Sequence, residues 1–126
     1  MNLIEHIFLD SFFSLFEAKT EIIKIENNAV LGTVSWENEE DTQDFKWSKP
    51  FDDDTLIALT DLCVYLLKNE LLVGDRIRIM EELLFERLKN VGWPINKVKK
   101  AIDALMSLEI KMLDEGKETD SFFIHF

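Results

Sequence analysis

The chain has 126 residues, 47% of them hydrophobic, and a net charge of −11. That length predicts one domain over residues 1–126, with enough apolar content for a core, and excludes a disordered chain. One cysteine excludes an intrachain disulfide framework and fits a reducing compartment.

The first segment is apolar: Leu3, Ile4, Ile7, Phe8, Leu9, Phe12, Phe13, Leu15 and Phe16. Their helical spacing predicts a helix over 2–18, wide enough in its apolar stripe to be covered on more than one side. It does not read as a signal peptide, because it lacks a basic flank and Glu5 and Asp10 interrupt it. No stretch reaches the roughly 18 apolar residues that span a bilayer, so the reading is a cytoplasmic protein without a membrane partner.

"TEIIKIE" (20–26) is rich in β-branched residues, and Asn27-Asn28 reads as a turn. "AVLGTVSWE" follows as a second strand, in which Gly32 marks a bulge or a close approach. "QDFKWS" reads as a third, with Phe45 and Trp47 on one side. Residues 20–48 thus predict an antiparallel meander. Between Trp36 and Trp47 stand Glu37, Glu39, Glu40, Asp41 and Asp44, most of them in the loop joining strands two and three.

Asp52, Asp53 and Asp54 precede "LIALTDLCVYLL", where acids in a first turn favour the helix dipole. A core helix is expected over about 54–71. Gly74-Asp75 reads as a break, with Asp75 capping a helix over 76–90 that buries Ile77, Met80, Leu84 and Leu88, with Leu83 and Phe85 as further members. Gly92 ends it. After Trp93-Pro94, a helix from Ile95 turns Val98, Ala101, Ile102, Leu105 and Leu108 inward. "EIKML" fits either a helix extension or a strand. "DEGKETD" reads as a break, and "SFFIHF" as a strand with Phe122, Ile124 and Phe126 on one face. The fold class is therefore α+β: about four helices with a small antiparallel sheet.

No pattern points to catalysis. His6 and His125 have no glycine-framed serine near them in sequence, and Cys63 lies on an apolar helix with no partner at metal-ligand spacing. The aspartates at 52–54 lack the alternation and mid-loop glycine of a calcium loop. Four scattered glycines form no phosphate cradle. The chain reads as a non-enzyme without cofactor or metal.

The order of elements over 54–126, with "GWP" before "INKVKKAIDALMSLEI" and a hairpin "KMLDEGKETDSFFIHF", resembles a winged-helix domain. The resemblance implies that Asn96, Lys97, Lys99 and Lys100 face phosphates, in a transcriptional regulator or adaptor. Residues 76–100 carry seven bases against three acids. The acidic remainder disfavours nucleic acid.

Charge is distributed unevenly. Residues 1–61 carry 14 acids and 4 bases, and residues 62–126 carry 11 acids and 10 bases. Such a surface steers toward a basic protein partner. The expected partner-binding residues are Glu37, Glu39, Glu40, Asp41 and Asp44, with Trp36 and Trp47 as aromatic anchors and Asp52, Asp53 and Asp54 in second rank. In size, acidity and lack of catalytic motifs the chain is similar to small bacterial immunity proteins, a class of many folds. That similarity implies an inhibitor that occludes the basic, nuclease-type cleft of a cognate toxin. A phage-type inhibitor of a host nucleic-acid enzyme is a variant of the same reading.

Overall fold

The computed structural model describes residues 3–26, 29–36, 41–48 and 51–126. They form an α+β fold with four helices, a five-stranded antiparallel sheet and a two-stranded sheet. The chain divides into two compact units, residues 1–50 with 109–122 and residues 51–108 with 123–126.

The first unit opens with α1 (Leu3–Ser14). It stops four residues short of the expected end. The Ser14 hydroxyl donates back to the Asp10 carbonyl, and the Leu15, Phe16 and Glu17 N–H groups each bond three residues back. Glu17 then takes a φ of 57°, the left-handed conformation that ends helices, and the chain enters β1 (Ala18–Glu26) at once.

The strands β2 (Ala29–Trp36) and β3 (Thr42–Ser48) complete the expected meander. The expected turn at Asn27-Asn28 lies outside the described residues. Counting on to β6 (Ile110–Asp114) and β7 (Lys117–Phe122), the sheet order is β1-β2-β3-β6-β7, and every neighbouring pair is antiparallel. "EIKML" is therefore strand and not helix. The inner positions Val30, Val34, Phe45, Trp47, Ile110 and Met112 are buried, while Asp44, Lys46 and Ser48 face solvent.

Aromatic contacts tie α1 to that inner face. The Phe8 and Trp47 rings lie 4.8 Å apart, and Phe13 sits 5.6 Å from Phe45 and 5.7 Å from Phe122. Gly32 makes this packing possible. A Cβ there would overlap the Glu21 carbonyl oxygen and come within 2.7 Å of the Phe45 ring, so the expected close approach is real.

In the second unit α2 (Asp53–Lys68) buries Leu56, Leu59, Leu62, Cys63 and Leu66. Here the expectation at Gly74-Asp75 needs correction. These residues do not cap a helix. They form the two-residue loop of a hairpin between β4 (Leu72–Val73) and β5 (Arg76–Ile77), with Val73 paired to Arg76. Gly74 has a φ of 62°, as a primed hairpin turn with glycine first requires.

Helix α3 (Glu81–Asn90) starts only at Glu81, and its inner residues are Leu84 and Leu88. Met80 and Leu83, expected inside, are 65% and 53% exposed. Gly92, at a φ of 100°, follows the helix end as expected. Helix α4 (Ile95–Ser107) turns Val98, Ala101, Ile102 and Leu105 inward, and Leu108 just beyond it is also buried.

The "SFFIHF" segment is not one strand. Strand β7 ends at Phe122 in the first unit, and residues 123–126 belong to the second. There the Ile77 N–H donates to the His125 carbonyl at 2.7 Å, the His125 N–H donates to the Asp75 carbonyl at 2.8 Å, and Ile124 is buried. The α2–α3–α4–hairpin order is the one that suggested a winged helix, but its hairpin pairs with β3 and so completes the first unit's sheet.

Candidate acidic binding surface

The structure brings Asp41 and Asp44 together with acids that are distant in sequence. Strand β3 pairs with β6 so that Asp44 stands opposite Leu113, and Leu113 opposite Glu118 of β7. The β6–β7 turn therefore lies beside the start of β3. Asp41, Thr42, Gln43, Asp44, Leu113, Asp114, Glu115 and Thr119 line an open groove of about 390 Å³. All four carboxylates are exposed.

The turn that supplies two of these acids is tightly made. Asp114 pairs with Lys117, leaving Glu115-Gly116 as a two-residue loop, with φ of 52° and 79°. Two positive φ values mark a type I′ hairpin turn, which favours asparagine or aspartate followed by glycine. A glutamate in the first position is therefore conformationally disfavoured. Asp114 and Glu115 are absent from the residues expected on sequence grounds, where "DEGKETD" reads only as a break. Its acid density was the available signal, and the β3–β6 pairing that gives it meaning is long-range.

The other expected residues fall differently. Glu37, Glu39 and Glu40 lie outside the described residues. Trp47 is buried against Phe8, so it is a core side chain and not an anchor within reach of a partner. Trp36 is half-buried and stacks on Phe122, with ring centroids 5.7 Å apart and planes at 23°. Asp52, Asp53 and Asp54 are exposed at the start of α2. Asp52 caps that helix. Its carboxylate accepts from the Thr55 N–H at 2.8 Å, and the Thr55 hydrogen bonds hold its pKa below the usual value.

The charge follows the two units. The first carries 15 acids and 6 bases, a net −9; the second carries 10 acids and 8 bases, a net −2. The described bases of the outer sheet face are partly committed. Lys111 donates to Glu118 at 2.9 Å, which raises the lysine pKa.

The basic helix α4 is less available to phosphates than its sequence implied. The Lys97 ammonium donates to Asp61 of α2 at 2.7 Å and lies 4.2 Å from the Trp93 ring centroid. Lys99 and Lys100 are exposed.

Cys63 and His6 carry nucleophile or ligand chemistry, and each packs against its neighbours. Cys63 is buried, and burial pushes its pKa up to about 12, so it is a thiol packed as an apolar side chain. His6 Nε2 lies 3.3 Å from Asp10, whose other oxygen accepts from the Thr20 hydroxyl at 2.8 Å. There the carboxylate, not the imidazole, bridges, so the imidazole is not placed as a base for the threonine. Among the described residues, no group of three or more histidine, cysteine, aspartate or glutamate side chains is placed to hold a metal. Among the same residues, no helix is long and apolar enough to cross a membrane.

Comparison with protein-family models, curated proteins and solved structures finds no match for this chain.

Proposed function

We propose that the protein is a non-catalytic, acidic binding protein that inserts its negative face into a basic cleft of a partner protein. The class that fits is a bacterial immunity protein acting in the cytoplasm on a cognate toxin, with a nuclease-type toxin matching the charge. The observation that carries the reading is the groove at the β3–β6–β7 end of the sheet. There Asp41 and Asp44 meet Asp114 and Glu115 in the unit that holds −9 of the net −11. Carboxylates so arranged accept Lys and Arg side chains that otherwise hold phosphates, and they accelerate encounter.

The regulator reading rests on Asn96, Lys99 and Lys100, with Lys97 engaged by Asp61. It predicts DNA retardation at low salt that is lost on replacing Lys99 and Lys100 by alanine.

The test is kinetic. The partner that co-purifies at moderate salt is isolated, and its association rate is measured against wild type, Asp41→Lys/Asp44→Lys and Asp114→Lys/Glu115→Lys. Both double reversals are expected to slow association by about tenfold or more, with a small change in Tm. Association rates equal to wild type in both would reject the groove as the binding surface.

A further inference from the structure

The five-stranded sheet has two edges, and they differ. Strand β7 presents Lys117, Glu118 and Asp120 to solvent over six residues, and Glu118 is held by Lys111. Such an edge is blunted by charge. Strand β1 is nine residues long, lies at the opposite edge and exposes isoleucines: Ile23 is 66% and Ile25 40% exposed.

The β1 edge also carries a charge pattern that matches itself. Glu21 pairs with Thr33 and Lys24 with Leu31, while the register shifts between Ile22 and Lys24. The shift absorbs Ile23 as a bulge, so Glu21 and Lys24 stand on the same outer face of the sheet despite being three residues apart. We infer that β1 pairs antiparallel with β1 of a second copy, about a two-fold axis at the Ile22–Ile23 bulge, with Glu21 of each copy opposite Lys24 of the other.

The register is selective. A one-residue slip is forbidden, because it would turn outward side chains inward. A two-residue slip one way sets Glu21 against Glu21 and Lys19 against Lys24. The same slip the other way sets Lys24 against Lys24. Only the central register brings opposite charges face to face twice while bringing the two exposed Ile23 side chains together at the axis. It also covers Ile25 with Thr20 of the second copy. The lysines and the bulge, which protect this edge against an arbitrary strand, admit its own copy. The seam lies on the far side of β2 from β3, so the Asp41–Glu115 groove stays open in both copies.

Light scattering and sedimentation equilibrium on the full chain, over a concentration series at low salt, test this. Wild type is expected to pass from monomer to dimer. Glu21→Lys and Lys24→Glu each convert two attractive pairs into two repulsive ones, and each is expected to raise the dissociation constant by at least about tenfold. The combined Glu21→Lys/Lys24→Glu exchange restores the pairing and is expected to recover the dimer. Ile23→Asp, at the axis, breaks it without touching either charge. A wild type that stays monomeric at its highest soluble concentration overturns the inference. So does a dimer indifferent to both single reversals, or a charge exchange that fails to recover it.

Discussion

At Glu115 a single side chain is pulled in two directions. Its φ of 52° in a Glu-Gly hairpin loop suits asparagine better, yet its carboxylate lines the acidic groove. Glu115→Asn is therefore expected to raise stability by about 0.5–1 kcal/mol. Under the proposed function the same change slows partner association, so one variant separates a turn residue from a binding residue when its Tm and association rate are measured together. Gly32 is the opposite case, with no freedom to change. Gly32→Ala drives a methyl into the Phe45 ring and the Glu21 carbonyl, and is expected to cost about 1–3 kcal/mol in denaturant unfolding. Asp52 supplies a pH signature. Its folded pKa lies below 3.8, so its capping contribution is complete above that pH and is lost as pH falls through the folded value. Asp52→Ala should lower Tm near neutral pH, and the gap to wild type should close below about pH 3.8.

Among the elements, the four helices and the β1–β3 meander are legible in the sequence, while β4 and β5 are not. Strands β2 and β3 alternate because one face packs on α1 and the other meets water, and that pattern is local; β1 breaks it at the Ile23 bulge. Helix boundaries depart from the apolar periodicity where a backbone turn decides them. Leu15 and Phe16 continue the apolar pattern of α1, but Glu17 in the left-handed region ends it. The segment 76–80 has helical spacing, but the Gly74-Asp75 turn folds its start into β5. The tail from Phe123 to Phe126 then lies against that strand. Arg76 Nη1 donates to the Phe126 carbonyl at 2.7 Å, and Arg76 and His125 form a parallel bridge. Ile124 is the buried residue of this tail, so Ile124→Ala is expected to cost about 2–4 kcal/mol. It should also speed hydrogen exchange at the Ile77 and His125 N–H groups more than at the α4 amides. Equal acceleration throughout the second unit would show that the tail unfolds only with the whole.

On the scale of the molecule, the acidity is a property of one unit. Because β6 and β7 join the sheet begun by β1–β3, five acids from residues 109–122 add to the ten of residues 1–50. Association with a basic partner should consequently slow as ionic strength rises, and more steeply for wild type than for Asp41→Lys/Asp44→Lys. Stopped-flow rates at several salt concentrations measure both slopes.

The sequence alone determined the α+β class, the apolar face of α1, the meander, the acidic start of α2, the inner face of α4 and the skew of charge toward the first half. Each depends on neighbours within a few residues: helical or two-residue periodicity, a cap, a local count of charges. Tertiary structure decided the rest. It took Trp47 out of the surface and into contact with Phe8, tied Lys97 to Asp61, and brought Asp114 and Glu115 to Asp41 and Asp44 through the β3–β6 ladder. Those partners are separated by tens of residues, and no periodicity in the chain encodes which strand a hairpin will join.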